Sequence, residues 1–257
     1  MEKKLSLTVA LAVSAFVLAA EPVTLTGDAV VPSSDGAMEL VPGKRVWTQE
    51  MVPVDPAKSY ILSGEFRTVK EPGTNSPAVF LGVISYDAQK RQIARSMVDA
   101  IEGTETELVA PAAKGDKTLI VKDASKWIKT PSAFAIAFDV QPEYADLPNR
   151  KLAMLITKIE QVENGWKVDF SIPLKADYPA GTPVRQHREG SYCWCGLNNK
   201  VISGEEWTAA GNSVTGEYSV GAGYKKFWKG TRFVKIVLFC SKGSKLEFRN
   251  LDFSEEN

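Results

Sequence analysis

The chain has 257 residues with 31 Lys+Arg, 31 Asp+Glu and one His, so its formal net charge at pH 7 is zero. This balance argues against nucleic acids and anionic membrane surfaces as partners, because both select clustered positive charge. A neutral partner such as a glycan or another protein fits better, and a chain of this length buries a large core without disulfide bonds.

The first twenty residues predict an export leader. Two lysines lie in the segment Met1 to Lys4, and the segment from Leu5 to Ala20 contains no charge. That apolar run is shorter than the roughly 20 residues that span a bilayer, and the small side chains of Ala19 and Ala20 suit signal peptidase. We expect cleavage after Ala19 or Ala20, giving a secreted or periplasmic protein without a membrane-inserted segment.

Short runs of alternating apolar and polar residues follow, bounded by Gly, Pro, Asn and Asp, and they predict an all-β fold. In the first clear run, Tyr60, Leu62 and Phe66 share the core face, whereas Glu65 and Arg67 point to solvent or to a ligand groove. The clearest predicted strands are Ser59 to Thr68, Ala78 to Tyr86, Thr118 to Val121, Phe134 to Asp139, Leu152 to Glu160, Trp166 to Ser171, Tyr192 to Gly196, Phe233 to Cys240 and Leu246 to Phe253.

The strand from Phe233 to Cys240 is apolar on both faces, which is typical of a central strand. Lys235 lies within it and is expected either to snorkel or to line a cleft.

The middle of the chain is interpreted as an insertion, because the strand pattern breaks at Gly103 and changes again near Gly190. Residues 21–102 and 189–257 would then form one domain around an inserted small β-barrel or sandwich at 103–188. One continuous sandwich with long loops is the alternative.

The three cysteines leave two interpretations open. Cys193 and Cys195 are two residues apart on a predicted strand, so they cannot bond each other without strain. One of them bonds Cys240 if their strands are neighbours; three buried thiols are the alternative.

His187 is the only histidine in the sequence. Its neighbours Arg185, Arg188 and Glu189 favour a solvated strand end. Because there is only one histidine, most metallo-hydrolase mechanisms are excluded, and any Ser–His or Cys–His mechanism would depend on this residue.

Paired carboxylates are the remaining catalytic possibility, since a glycosidase needs only two acids a few ångströms apart. Glu205 with Glu206, and the cluster Asp139, Glu143 and Asp146, are the candidates. Adjacent strand residues face opposite ways, and surface charge is the simpler interpretation, so we expect no catalytic residues.

Aromatic residues are the stronger functional signal. Tyr192 and Trp194 share one face of their predicted strand, and Trp207, Tyr224 and Trp228 follow in a stretch rich in Gly and Lys. Large rings usually belong to a core, but these neighbours equally favour loops in which the last three rings are exposed.

The two flanks also share a pattern. It begins with Gly43–Trp47 and the run Val52–Arg67, and it resumes at Trp207, Gly230–Leu238 and Leu246–Phe253. This pattern resembles the β-jelly-roll carbohydrate-binding modules that are often appended to secreted glycan-degrading enzymes. The resemblance implies a jelly-roll β-sandwich with a sugar groove on a concave sheet face or at the loop rim.

The resemblance further implies a structural calcium ion that joins the first and last strands. Asp252 lies where that family has its closing-strand acid, and Asn250 is the neighbouring candidate ligand. Both are expected on the same face as Leu246 and Phe248.

We therefore predict a secreted, non-catalytic carbohydrate-binding protein in which an aromatic-lined groove binds the glycan. The predicted ligand-binding residues are Glu65, Arg67, Trp194, Trp207, Tyr224, Trp228 and Lys235, and the predicted calcium ligands are Asn250 and Asp252. A structural or adhesive protein-interaction module is the alternative function, and a glycan-cleaving enzyme with paired carboxylates is the second alternative.

Overall fold

The computed structural model describes residues 23, 25–26, 29–33, 36–69, 71–131, 133–223 and 225–256. The predicted leader and Tyr224 lie outside these residues. Within them the protein is all-β, as predicted, with antiparallel strands and short 3-10 turns such as Arg95–Met97 and Pro142–Tyr144.

The strands are β1 (Leu25–Thr26), β2 (Val30–Pro32), β3 (Met38–Leu40), β4 (Arg45–Thr48), β5 (Val52–Pro53), β6 (Ser59–Val69), β7 (Ala78–Tyr86), β8 (Gln92–Ile93), β9 (Thr106–Glu107), β10 (Thr118–Val121), β11 (Phe134–Phe138), β12 (Leu152–Ala153), β13 (Ile156–Val162), β14 (Gly165–Phe170), β15 (Pro183–Arg188), β16 (Cys193–Val201), β17 (Thr208–Thr215), β18 (Phe233–Cys240) and β19 (Lys245–Glu255).

Two sheets form the larger part of the molecule. The seven-stranded sheet has the order β1-β4-β18-β7-β16, with β5 beside β18 and β8 beside β7, and the five-stranded sheet has the order β17-β6-β19-β3-β2. Their inner faces pack into one apolar cluster that includes Leu62 and Phe66 from one sheet and Leu81 and Ile236 from the other. This is the face-to-face packing of a β-sandwich.

Alternation along the strands places the side chains as predicted. Tyr60, Leu62 and Phe66 of β6 are buried, whereas the residues between Leu62 and Phe66 that point outward are partly exposed. Strand β18 lies between β4 and β7, which explains why both of its faces are apolar.

The closing strand β19 departs from simple alternation. The pairing of β19 with β6 shifts register between Arg249 and Asp252, and Asn250 has a left-handed φ of 50°. Because this bulge inserts a residue, Leu251 and Phe253 are buried and Asp252 is not,. The expectation that Asp252 shares a face with Leu246 and Phe248 is therefore wrong.

Two smaller sheets lie between β8 and β16 in the sequence. Their orders are β10-β14-β13 and β12-β11-β15-β9, and neither closes into a barrel. A second apolar cluster, drawn from residues between Leu108 and Val184, packs between them. It includes Val121 and Val168 from the first sheet and Ile136 and Val184 from the second.

The predicted strand Leu152 to Glu160 is two strands. Leu155 has a left-handed φ of 61°, and this break sends β12 and β13 into different sheets. Glu163 and Asn164 form the turn that connects β13 to β14, since Val162 pairs with Gly165.

Among the described residues, no helix is long or apolar enough to cross a bilayer.

Candidate functional site

The structure does not bring the predicted ligand-binding residues into one groove. Glu65, Arg67 and Trp207 lie on the outer face of the five-stranded sheet, whereas Trp194 and Lys235 lie on the outer face of the seven-stranded sheet. The core of the sandwich separates the two groups.

The first group forms a compact cluster around Trp207. The guanidinium carbons of Arg67 and Arg249 lie 4.5 and 4.2 Å from the centroid of the Trp207 ring. Across the paired strands, Arg249 binds Glu65 and Arg67 binds Glu247, each with an N–O distance of 2.5 Å. We call these five residues the Trp207 cluster.

The charges of the Trp207 cluster are satisfied within it. The hydrogen bond from Arg249, together with one from Asn250, lowers the pKa of Glu65. Burial opposes the ionisation of Glu247, but hydrogen bonds from Ser33 and Arg67 outweigh it and lower the pKa of that carboxyl group as well. The cluster is thus two cross-strand ion pairs against one indole ring, an arrangement that braces the sheet.

The second group belongs to a much larger aromatic surface. Seven rings lie on the outer side of the seven-stranded sheet. Alternation with core residues of β4, β7 and β18 places five of them there,, and contacts with Phe80 and with each other place Trp194 and Tyr192 beside them. We call this surface the aromatic face: Trp47, Phe80, Tyr86, Tyr192, Trp194, Phe233 and Phe239.

The rings of the aromatic face contact one another in a row. The ring centroids of Tyr192 and Trp194 are 5.2 Å apart, those of Trp194 and Phe80 are 5.5 Å apart, and those of Phe80 and Phe239 are 5.5 Å apart. All three pairs are tilted, which suits the quadrupoles of neighbouring rings. Trp47 lies farther along the same side and is 45% exposed.

A bulge in β16 places Trp194 on this face. Cys193 pairs with Val83 and Leu197 pairs with Leu81, so four steps along β16 span two steps along β7,. Gly82 lies opposite the bulge, and a Cβ atom there would lie 2.8 Å from the Cα atom of Trp194. Because Gly82 has no side chain, the bulged backbone of β16 can pass close to β7.

A partly open pocket of about 90 Å³ adjoins Trp194. Its lining residues are Arg95, Tyr192, Trp194, Asn198 and Trp228. The Nε atom of Arg95 donates to the buried Asp99 carboxylate at 2.7 Å, which fixes the guanidinium beside the pocket. Flat rings next to an amide and a guanidinium suit a sugar ring, whose C–H faces stack while its hydroxyl groups form hydrogen bonds.

Trp228 lies in the core instead of an exposed loop. Only 1% of its surface is exposed, and its ring packs edge-on against Tyr218 with centroids 5.2 Å apart. Its Nε1 atom has no hydrogen-bond partner among the described residues. Trp228 therefore supports the floor of the pocket and does not offer a ring face to a large ligand.

The predicted calcium ligands do not assemble a full coordination shell. Asp252 accepts a hydrogen bond from Ser254 Oγ at 2.7 Å, and Asn250 bonds Glu65. In the described part of the chain, no group of three or more His, Cys, Asp or Glu side chains lies together as a metal site. Calcium binds six to eight oxygen ligands, so these two side chains alone do not fit the ion.

His187 is completely buried, and the expectation of a solvated strand end is wrong. Its Nδ1–H donates to the Ser96 carbonyl at 2.9 Å, and its Nε2 accepts from Arg185 Nε at 3.1 Å. Burial and the neighbouring Arg185 charge lower the pKa of His187 to about 4, so the imidazole is neutral. The residue is part of a buried polar junction and has no contact with solvent.

The candidate carboxylates are distributed among structural roles. Asp139 pairs with Lys151 at 2.6 Å, and Asp146 is paired with the buried Arg185 at 2.9 Å. Glu205 and Glu206 are exposed on the segment before β17. None of these acids is on the outer side of the seven-stranded sheet.

Sequence reasoning missed several residues of the aromatic face and its pocket. Arg45, Phe80 and Phe239 are far apart in sequence, and only the pairing of β4, β18 and β7 brings them together. The sequence does contain a signal for this surface, because each of these strands has an aromatic ring or a cation at the positions that alternate with its core residues. Arg95 and Asn198 carry no such signal.

Comparison with protein-family models, curated proteins and solved structures gives no match for this chain.

Proposed function

We propose that the protein is an exported, non-catalytic glycan-binding module that binds through the aromatic face. The observation that carries the proposal is the pocket beside Trp194, where Tyr192 and Trp194 lie next to the amide of Asn198 and the guanidinium of Arg95. Stacking and hydrogen bonding are sufficient for sugar recognition and require no catalytic group.

The strand order supports the jelly-roll part of the proposal. The eight principal strands are, in chain order, β3, β4, β6, β7, β16, β17, β18 and β19. Numbered one to eight, they have the order 2-7-4-5 in one sheet and 1-8-3-6 in the other, which is the arrangement of two Greek keys in a jelly roll. The two smaller sheets, with their own apolar cluster, enter between the fourth and fifth strands and support an inserted domain at 103–188.

The aromatic face is a better candidate site than the Trp207 cluster. In the Trp207 cluster, Arg249 and Arg67 already bind the carboxylates of Glu65 and Glu247, and both guanidinium groups contact the ring. A ligand there would have to displace existing partners. On the aromatic face, Arg95 is bound to Asp99, but Arg45 forms no ion pair and the Asn198 side chain forms no hydrogen bond with another described residue.

The experiment is a glycan array with the chain from Glu21 to Asn257, compared with the Trp194→Ala and Trp207→Ala variants. If the aromatic face binds sugar, Trp194→Ala weakens binding at least about fivefold, in the range of a lost ring contact. Trp207→Ala should bind like the wild type, provided that both variants give the wild-type circular dichroism spectrum.

Two outcomes would overturn the proposal. Loss of binding in Trp207→Ala alone would move the site to the five-stranded sheet. No binding to any glycan by folded protein would remove the carbohydrate function. Repeating the array with EDTA tests calcium separately, since removal of an essential ion would abolish binding of the wild type.

Protein contact is the second candidate function. The 45% exposure of Trp47 at the end of the aromatic face favours it, because large exposed rings are enriched at protein interfaces,. Two results together would support this candidate. The folded wild-type protein would bind no glycan, and sedimentation would show a concentration-dependent self-association that the Trp47→Ala variant lacks.

A further inference from the structure

The outward strand positions around the aromatic face carry positive charge and no acid. Besides the rings, the outward positions of β4, β5, β7, β8 and β18 are occupied by Arg45, Pro53, Ala78, Gly82, Ile84, Gln92, Lys235 and Val237. No Asp or Glu is among these outward positions of the described strands.

Two of the three cations on this side of the sheet contact rings. The Arg45 guanidinium lies 5.3 Å from the Tyr192 ring centroid and 5.4 Å from that of Phe239. The ammonium group of Lys90, in the turn after β7, lies 5.5 Å from the Phe233 ring centroid. Neither residue, nor Lys235 between them, forms an ion pair with an acid of the described chain.

This contrasts with other surfaces of the molecule. The sequence has equal numbers of basic and acidic residues, and many cations elsewhere are paired, as Lys122 is with Glu107 at 2.9 Å and Lys151 with Asp139 at 2.6 Å. An uncompensated cluster on one face of a neutral chain creates a local positive potential, and that potential selects anionic ligands.

We infer that the aromatic face selects acidic glycans, namely polymers whose sugar rings carry carboxylate groups. This inference rests on the proposed glycan-binding function. The rings of Tyr192, Trp194 and Phe80 would stack on the sugars. Arg45, which contacts both Tyr192 and Phe239, and Lys235, on the same side of β18 as Phe239, would bind the carboxylates. Arginine is suited to binding these groups because its planar guanidinium group donates two parallel hydrogen bonds to a carboxylate.

A single-stranded nucleic acid would also use rings and cations. Its affinity, however, increases with the number of phosphates neutralised, and Arg45, Lys90 and Lys235 are separated by rings instead of forming a continuous basic track. The observations therefore favour a sugar polymer with one charge per ring.

The experiment compares polygalacturonate with its fully methyl-esterified form by titration calorimetry. Both polymers present the same sugar rings, and only the first carries charge. We expect wild-type protein to bind the acidic form at least about fivefold more tightly at low ionic strength, and the difference to shrink at high salt because exposed charges are screened.

Variants assign the preference to residues. Lys235→Gln and Arg45→Gln should each reduce affinity for the acidic polymer about threefold to fivefold, with little change for the esterified one. Lys175→Gln is the matched control, because Lys175 is an exposed cation in the 103–188 segment. Lys235 has no cation–ring contact in the part of the chain that the structure describes, so Lys235→Gln remains informative if Arg45→Gln disturbs the packing of Tyr192.

The outcomes separate the two proposals. Equal affinity for both polymers, with both lost in Trp194→Ala, would overturn the acidic preference and leave glycan binding intact. No binding to either polymer or to any arrayed glycan would overturn both. Tighter binding to oligo(dT) that is lost in Lys235→Gln would assign the face to nucleic acid and overturn the inference.

Discussion

Gly82 and Cys193 lie so close that a side chain on Gly82 would collide with the carbonyl oxygen of Cys193. Gly82 points to the outer side of β7, where the bulge of β16 passes. The position of the bulge, and therefore the position of Trp194 on the aromatic face, depends on the absence of that one side chain.

Gly82→Ala should therefore lower the free energy of unfolding by about 1–3 kcal/mol, the usual cost of overpacking a tight site. It should also weaken glycan binding, because the bulge that carries Trp194 must move. Urea denaturation followed by tryptophan fluorescence measures the first effect, and calorimetry measures the second.

Gly223→Ala is the matched control. Apart from its chain neighbours, no heavy atom of the described residues lies within 4 Å of the position that a Cβ atom would take on Gly223, and its φ is not in the left-handed region. Its stability should equal or slightly exceed that of the wild type, since alanine reduces the freedom of the unfolded chain. Equal stability of the two variants would contradict the steric role assigned to Gly82.

Arg185 and Asp146 form a buried ion pair. Their side chains are 1% and 6% exposed, with an N–O distance of 2.9 Å. Asp146→Asn leaves the Arg185 charge buried with a weaker partner and should lower the free energy of unfolding by about 3–5 kcal/mol. Chemical denaturation of the purified variant provides the measurement.

An exposed pair offers the comparison for this effect. Lys58 and Glu255 are 50% and 46% exposed and lie 2.8 Å apart. Glu255→Gln should leave stability unchanged within error, because solvent screens exposed pairs. A loss as large in Glu255→Gln as in Asp146→Asn would show that burial is not the cause.

The fold was predictable from the sequence where apolar and polar residues alternate with a clear period of two. In β6 the alternation of Tyr60, Leu62 and Phe66 with polar residues identified the strand and its core face, and in β18 the two apolar faces identified a central strand. Strand β17 was missed because Thr208–Thr215 is composed mainly of small and polar residues. Its pairing depends on Gly211, whose bare Cα lets β17 approach the backbone of Leu62 and Ser63.

The site was less predictable, because it depends on pairing between distant segments. Alternation placed Tyr192 and Trp194 together, but nothing local indicates that β16 adds to the edge of the sheet that holds Phe80 and Arg45. The charged neighbours of His187 gave a wrong prediction of its exposure. Arg185 and Arg188 flank it in the sequence, but the buried carboxylates of Asp146 and Asp99 pair with them, so the histidine lies in the interior.

Burial of His187 makes stability depend on pH. The neutral imidazole has a pKa of about 4 in the folded protein, lowered by burial and by Arg185, and the unfolded chain has a value near 6.5,. Asp146 and Asp99 oppose the shift but do not cancel it. Between these values the unfolded chain binds more protons, so the free energy of unfolding falls as the pH decreases from 6.5 to 4.

The expected loss from His187 is about 3 kcal/mol over that interval, and no contribution is expected above pH 6.5. Since the sequence has one histidine, the Hε1 and Hδ2 NMR signals of its ring need no assignment among several residues, and their shift with pH reports the pKa directly. Denaturation of His187→Gln at several pH values is the second measurement, and the slope between pH 4 and 6.5 should flatten. A histidine signal that titrates near 6.5 in the folded protein would refute the assignment.

The three cysteines provide a test of the core itself. Cys193, Cys195 and Cys240 are buried thiols, and none of them is in a disulfide bond, so the alternative of three apolar thiols holds and no disulfide joins β16 to β18. A hydrogen bond with Cys195 and burial raise the pKa of Cys193, and burial raises the pKa of Cys240 to about 11.

Because the thiolate is the reactive form, Ellman's reagent at pH 8 should detect no thiol in the native protein and three after unfolding in guanidinium without reductant. A sample reduced first and then desalted is the control and should give the same count. A single thiol in the untreated unfolded sample would mean that two cysteines had bonded. A bond between Cys193 and Cys240 would require the two residues to lie closer together than they do in the structure. Cys193 pairs with Val83 of β7, whereas Cys240 pairs with Val79, four residues away on the same strand.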